Sequence, residues 1–144
     1  MNQAERHYRT SLAADLHNLQ VMRDFIENAC AECNVGMEDC FALQLAADEA
    51  CTNIILHGYA GLAPGKIDLE LDIDSARASL RITDFGHPFD PRDSQPPDLD
   101  ASLEDRRIGG LGIFFIFSTM DGVEYSSGEA GNTLSLTKKL ARQG

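Results

Sequence analysis

Two side chains four residues apart, Glu49 and Asn53, have the chemistry expected of a catalytic site. They lie in the segment LQLAADEACTNIILHGYA, residues 43–60, whose apolar residues recur at helical spacing. A helix brings residues four apart to about 5–6 Å between Cβ atoms on one face. A carboxylate can take a proton, and an amide oxygen can bind a hard cation such as Mg²⁺. An isolated pair of this kind is more often an exposed acid and a surface amide, so its meaning depends on the rest of the chain.

A second polar position, Asp84, ends a predicted strand and opens the string DFGHPFDP, residues 84–91. A carboxylate at such a turn can accept a hydrogen bond from the amino group of adenine. Gly86 has no side chain, so a base can approach its backbone closely. Asp-x-Gly alone is a common turn. The same three letters in eukaryotic-type kinases are accompanied by a lysine and a His-Arg-Asp loop, which this chain lacks.

A glycine-rich segment, GGLG, precedes a predicted helix further along the chain. Its backbone N–H groups can bind phosphate, and the helix adds the positive end of its dipole. The alternative is a flexible hinge before a helix. The residues of this segment are Gly109, Gly110, Leu111 and Gly112. The last polar candidate, Thr133, lies in the string GNTLSLTK, residues 131–138.

The spacing of apolar residues predicts three helices and four or five mostly antiparallel strands. The run KIDLELDID alternates cleanly, as in a sheet with one face on the core. Four of the five prolines lie in residues 85–108, which are predicted to form a long loop. The predicted helices span residues 15–35, 37–57 and 110–120, and the predicted strands span residues 8–13, 66–74, 78–83, 122–127 and 133–139. Helices on one face of an antiparallel sheet make an α+β two-layer sandwich.

The candidate motifs occur in a fixed order along this chain. They are a helix with an acid and an amide, an Asp-x-Gly turn, a glycine loop at the start of a helix, and a last strand that contains a threonine. This order resembles the ATP site of the superfamily that includes gyrase, heat-shock chaperone, histidine-kinase and mismatch-repair ATPases. The string DFGHPFDP makes the chain most similar to the small anti-sigma-factor serine kinases. The resemblance implies a Bergerat-type ATP-binding fold, with a mostly antiparallel sheet and three main helices on one face. It also implies a single histidine-kinase-like ATPase domain over residues 1–144, with residues 85–108 as its lid.

The resemblance further implies a role for each candidate residue. Glu49 would be the catalytic base, and Asn53 would be the Mg²⁺ ligand, so ATP and Mg²⁺ are the expected cofactors. Thr133 would lie against adenine. The positions that the resemblance assigns to ATP binding are Asn53, Asp84, Gly86, Gly109, Gly110, Leu111, Gly112 and Thr133.

The function implied by the resemblance is that of a protein-serine kinase in a partner-switching module. Such a kinase binds a sigma factor, and it phosphorylates a serine of an anti-anti-sigma antagonist, which then dissociates and lets the kinase recapture the sigma factor. A homodimer is expected on the same grounds. The first alternative is an ATP-binding adaptor or anti-sigma protein without significant kinase activity. The second is a metal or redox protein that uses Cys30, Cys33 and Cys40, with His57 as a further candidate ligand.

Composition narrows the possible partners and location. The formal net charge is −11, from 12 basic and 23 acidic residues. Such a charge disfavours direct nucleic-acid binding, because affinity for phosphate backbones comes from Lys and Arg. No apolar run approaches the roughly 20 residues needed to span a membrane, and the first ten residues contain no apolar signal core. We therefore expect a cytoplasmic protein, without membrane contact, whose cysteines are reduced structural thiols.

Overall fold

The computed structural model describes residues 5–88 and 118–141, and the fold is given for these. Five strands form one antiparallel sheet. They are β1 (Arg6–Ala13), β2 (Lys66–Ile73), β3 (Arg77–Asp84), β4 (Gly122–Gly128) and β5 (Gly131–Lys139). Their order across the sheet is β1-β2-β3-β5-β4, so β3 lies at the centre and pairs with β2 and β5.

The core lies on one face of this sheet because apolar residues alternate along the central strands. Leu69 pairs with Ile82, and Leu71 pairs with Leu80, and all four side chains are fully buried. The opposite face carries charged side chains, among them Glu70, which forms an ion pair with Arg81 on the neighbouring strand.

Two helices cover the apolar face: α1 (Leu19–Glu32) and α2 (Met37–Asn53). The turn between them is set by Asn34, which adopts a left-handed conformation with φ 57°. Val35 N–H then donates to the carbonyl of Cys30 at 2.9 Å. This is a Schellman ending, which satisfies the last carbonyls of α1 and lets α2 return alongside it.

The antiparallel pair is also joined by side chains. Arg23 on α1 donates two hydrogen bonds to the carboxylate of Asp48 on α2, at 3.0 and 3.1 Å. Gln44 donates to the backbone carbonyl of Arg23 at 3.0 Å. These contacts fix the lateral position of α2, the helix that carries Glu49 and Asn53.

Beyond Asn53 the helix widens into one π turn, Ile54–Gly58. Tyr59 N–H donates to the carbonyl of Ile54, five residues back, at 3.0 Å. Turns of this kind are rare and are frequent at functional sites.

The predicted α+β fold and its antiparallel sheet are confirmed, and the five strands match the predicted segments within a few residues. The prediction of three main helices is corrected: the described part of the chain contains two long helices. Most of the third predicted helix, residues 110–120, lies outside the described residues, as do residues 89–108 of the predicted lid.

No helix within residues 5–88 and 118–141 is long and apolar enough to cross a membrane. The four cysteines are free thiols, and Cys30, Cys33 and Cys51 are buried. Burial raises the pKa of the Cys30 thiol, and it raises the pKa of Cys51 to about 12. Thiols of this kind are poor nucleophiles, which fits a structural role in the core.

Candidate functional site

The C-terminal end of α2 carries a buried amide. The Asn53 side chain is 5% exposed, and within the described ranges no residue is hydrogen-bonded to it. Buried polar groups are normally hydrogen-bonded, because an unpaired one loses its water without replacement. A buried amide without a partner in the described part of the chain is suited to contact a ligand.

One helical turn earlier lies Glu49, which is half-buried. Burial raises the pKa of its carboxyl, and the negative charge of the adjacent Asp48 raises it further. The two acids differ in their surroundings. Asp48 is bound by Arg23, whereas Glu49 has neither an ion pair nor a hydrogen bond to the described residues. Of these two acids, Glu49 is therefore the one available to accept a proton from a substrate.

The second part of the site is the turn after β3. Asp84 is 5% exposed, and its Oδ1 accepts hydrogen bonds from the N–H of Gly86 at 2.9 Å and from the Asn132 amide at 3.1 Å. Asn132 also donates to the carbonyl of Gly86 at 2.8 Å. The other oxygen, Oδ2, has no hydrogen-bond partner in the described part of the chain. Among residues 5–88 and 118–141, the turn thus presents one buried carboxylate oxygen without a partner.

The two parts meet where the backbone of Gly58 contacts the backbone of Gly86. A Cβ added to Gly86 would lie 2.3 Å from the carbonyl oxygen of Gly58. That same carbonyl accepts a hydrogen bond from His87 N–H at 2.6 Å. Only glycine allows so close an approach, so the end of α2 and the Asp84 turn are held as one unit.

Tyr59 supports this contact from the side. Its ring is 8% exposed, and its hydroxyl donates to the carbonyl of Lys66 at 2.6 Å and accepts from Phe85 N–H at 3.0 Å. A Cβ on Gly65 would lie 2.5 Å from the ring, so the chain also packs tightly on this side. Tyr59 thereby links the end of the π turn, the start of β2 and the turn after β3.

Gly86 contacts Gly58 directly, and Asp84 lies two residues before Gly86. Asn53 ends the helix that leads into the turn with Gly58, and Glu49 lies one helical turn before Asn53. The structure does not bring Thr133 there. The hydroxyl of Thr133 lies 3.0 Å from that of Thr83, on the face of the sheet opposite the helices. The predicted phosphate-binding residues Gly109, Gly110, Leu111 and Gly112 lie outside the described residues.

Two residues that contact the site were not predicted from the sequence. Asn132, rather than Thr133, is the residue of β5 beside Asp84, because the register pairs these two positions. The signal was present, since Asn132 alternates in phase with the buried Leu134 and Leu136. Tyr59 had no comparable signal, because its partners are backbone groups of distant segments.

Comparison with known proteins identifies the family of this chain. Residues 12–138 match the model of the histidine kinase-like ATPase domain family. The serine/threonine-protein kinase BtrW of Bordetella bronchiseptica is 36% identical over 101 residues, which cover 70% of this chain and 71% of that protein. The anti-sigma F factor of Bacillus thuringiensis is 31% identical over 112 residues, which cover 77% of each chain.

A solved structure shows the same fold. It contains the RsbU and RsbW domains of a protein from Mycobacterium tuberculosis, and it superimposes with a TM-score of 0.70 at 18% identity. The match covers 96% of this chain and 34% of that one, so the chain corresponds to about a third of the larger protein. The serine-protein kinase RsbW of Bacillus licheniformis is 27% identical over 85% of this chain and 79% of its own length. The chain therefore belongs to the histidine kinase-like ATPase domain family, and within it to the anti-sigma-factor serine kinases.

Proposed function

We propose that this kinase binds ATP with Mg²⁺ between the end of α2 and the Asp84 turn, and transfers the γ-phosphate to a serine of a protein antagonist. In this proposal the adenine amino group donates to Asp84 Oδ2, and Gly86 leaves room for the base. Asn53 supplies an oxygen ligand to Mg²⁺. The glycine segment of residues 109–112 binds phosphate through its N–H groups, as predicted from the sequence.

The observation that carries the proposal is a pair of buried, unpaired oxygen-bearing groups on two elements in backbone contact. Asn53 and Asp84 are both 5% exposed, and neither the Asn53 amide nor Asp84 Oδ2 has a partner among residues 5–88 and 118–141. Leaving such groups unpaired costs about 1–3 kcal/mol each. A ligand with an amino group at one end and a metal-bound phosphate at the other would satisfy both.

Phosphoryl transfer needs positioning and charge stabilisation more than covalent chemistry from the protein. Mg²⁺, when bound, would neutralise charge on the phosphate oxygens. Glu49 would accept the proton of the attacking serine hydroxyl. Its raised pKa suits that role, because a base with a pKa closer to the working pH takes a proton more readily.

The partners follow from the family. We propose that the chain binds a sigma factor, that its substrate is an anti-anti-sigma antagonist, and that phosphorylation releases the antagonist. These partners act in the cytoplasm, so we place the protein there. A homodimer and a lid at residues 85–108, within a single domain spanning residues 1–144, are part of the same proposal.

The test is a phosphorylation assay with purified chain, Mg²⁺, γ-labelled ATP and the candidate antagonists from the same organism. Glu49→Gln is compared with Glu38→Gln, which removes an exposed carboxylate from the first turn of the same helix. We expect label on a serine with the wild type and with Glu38→Gln. Glu49→Gln should lose about 100-fold or more in rate while it still binds ATP.

Two results would contradict the proposal. ATP binding without label on any antagonist would favour an ATP-dependent adaptor without kinase activity. Equal labelling by Glu49→Gln and the wild type would exclude Glu49 as the base. Asn53→Ala separates the metal contact from the base, because it should weaken binding of ATP in the presence of Mg²⁺ more than in EDTA.

A further inference from the structure

The side chain of Asn132 lies against the Asp84 turn, and its hydrogen-bond partners determine the orientation of its amide group. The side chain is 4% exposed, and its amide nitrogen lies 3.1 Å from Asp84 Oδ1 and 2.8 Å from the carbonyl oxygen of Gly86. Both partners are acceptors, so the amide must present its NH₂ group to them and both of its hydrogens are used.

This arrangement makes the two oxygens of Asp84 unequal. Oδ1 accepts from Gly86 N–H and from Asn132, which fills the two acceptor positions of a carboxylate oxygen. The same oxygen faces Gly58, where an added Cβ would be 3.8 Å away. Oδ2 has no hydrogen bond from the described residues. Asp84 therefore offers a ligand a single acceptor.

We propose that Asn132 is a specificity-determining residue that makes the site select adenine over guanine. The inference rests on the proposed nucleotide site. Adenine presents one amino donor at its 6-position, which a single acceptor satisfies. Guanine presents an acceptor there, and its donors are an adjacent N1–H and 2-amino group, a pair that matches a carboxylate with both oxygens free. By filling Oδ1, Asn132 withholds the second acceptor that guanine needs.

The experiment measures dissociation constants of ATP, GTP and purine riboside triphosphate, which lacks the 6-amino group, by calorimetry with Mg²⁺. The chains are the wild type, Asn132→Ala and Asn132→Val. The valine variant keeps a residue suited to a strand, and thermal unfolding checks that each variant is folded. Ser135→Ala is the control, because Ser135 lies on β5 three positions away, opposite Arg81 on the outer face.

We expect the wild type to bind GTP and purine riboside triphosphate at least about tenfold more weakly than ATP, the change expected for one hydrogen bond to a charged group. In both Asn132 variants the GTP-to-ATP ratio of dissociation constants should fall about tenfold, and in Ser135→Ala it should stay unchanged. A purely structural role of Asn132 would weaken both nucleotides equally and leave the ratio as it is.

Three results would overturn the inference. The first is wild-type protein that binds GTP or purine riboside triphosphate as tightly as ATP, which needs no variant to be folded. The second is a wild type that prefers ATP, together with folded Asn132 variants whose GTP-to-ATP ratio of dissociation constants equals that of the wild type. The proposed ATP site would then stand without this inference. The third is a wild type that binds none of the nucleotides, which would remove the proposed function as well.

Discussion

Replacing Gly86 by alanine tests the contact on which the site depends. The added Cβ would lie 2.3 Å from the carbonyl oxygen of Gly58 and 2.6 Å from its carbonyl carbon. Ordinary van der Waals contact begins at 3.4 Å, so the turn after β3 must retreat by about 1 Å. Both clashing atoms are backbone atoms, so no side-chain rotation can relieve the overlap.

That retreat has two measurable consequences. The hydrogen bond from His87 to Gly58, now 2.6 Å, would lengthen beyond hydrogen-bonding distance. Overpacking of this kind costs about 1–3 kcal/mol, and the melting temperature falls by roughly 4 °C for each kcal/mol in a domain of this size. Asp84 moves with the turn, so we expect ATP affinity to fall at least about tenfold, because displacements near 1 Å disrupt positioned contacts.

The assay pairs thermal unfolding with ATP titration, and Gly128→Ala serves as the control because nothing lies within 4 Å of its added Cβ. The control should match the wild type in both measurements. If Gly86→Ala unfolds at the wild-type temperature and binds ATP with wild-type affinity, then the Gly58–Gly86 contact neither stabilises the fold nor positions Asp84, and the reasoning is refuted.

Three further outcomes follow from the same site. Because the folded-state pKa of Glu49 is raised, ionisation of Glu49 lowers the stability of the fold as pH rises through that pKa. Glu49→Gln should therefore melt at a higher temperature than the wild type at neutral pH. Thermal scans across pH should show this gain vanish below about pH 4.5. Serine phosphorylation should rise with pH over the range where Glu49 ionises, a range shifted above that of an ordinary glutamate, and a flat profile in single-turnover assays would contradict its role as base. Tyr59→Phe should lose about 1–3 kcal/mol in urea unfolding, since it leaves Phe85 N–H without its acceptor, and an unchanged midpoint would mean that this brace is not needed.

The sheet and helices could be predicted because they follow from alternation and helical spacing. In β2 every second residue, from Ile67 to Ile73, is buried, as the pattern requires. The burial of Asn53 at the end of α2 does not follow from the sequence. On sequence alone Asn53 could have been a surface amide, and only the packed structure shows that it is buried and unpaired within the described ranges.

The position of Asn132 shows a different limit. The strand itself was predicted, and so was the alternation of Thr133 with Leu134, yet Thr133 was assigned to adenine from family resemblance. Alternation already places Asn132 in phase with Leu134, and the pairing of Asp84 with Asn132 then determines which residue meets the carboxylate. Pairing register depends on contacts between β3 and β5, which are far apart in sequence, and local pattern does not supply it.

The π turn explains why the contact between Gly58 and Gly86 could not be predicted from helical periodicity. A turn with one extra residue shifts the phase of everything beyond it, so Gly58 and Tyr59 face directions that a continuous α-helix would not give them. Because such turns are rare, we expect tertiary contacts to favour this one. Here those contacts are the Gly58 carbonyl to His87 and the Tyr59 hydroxyl to Phe85. The π turn and the Asp84 turn therefore stabilise each other.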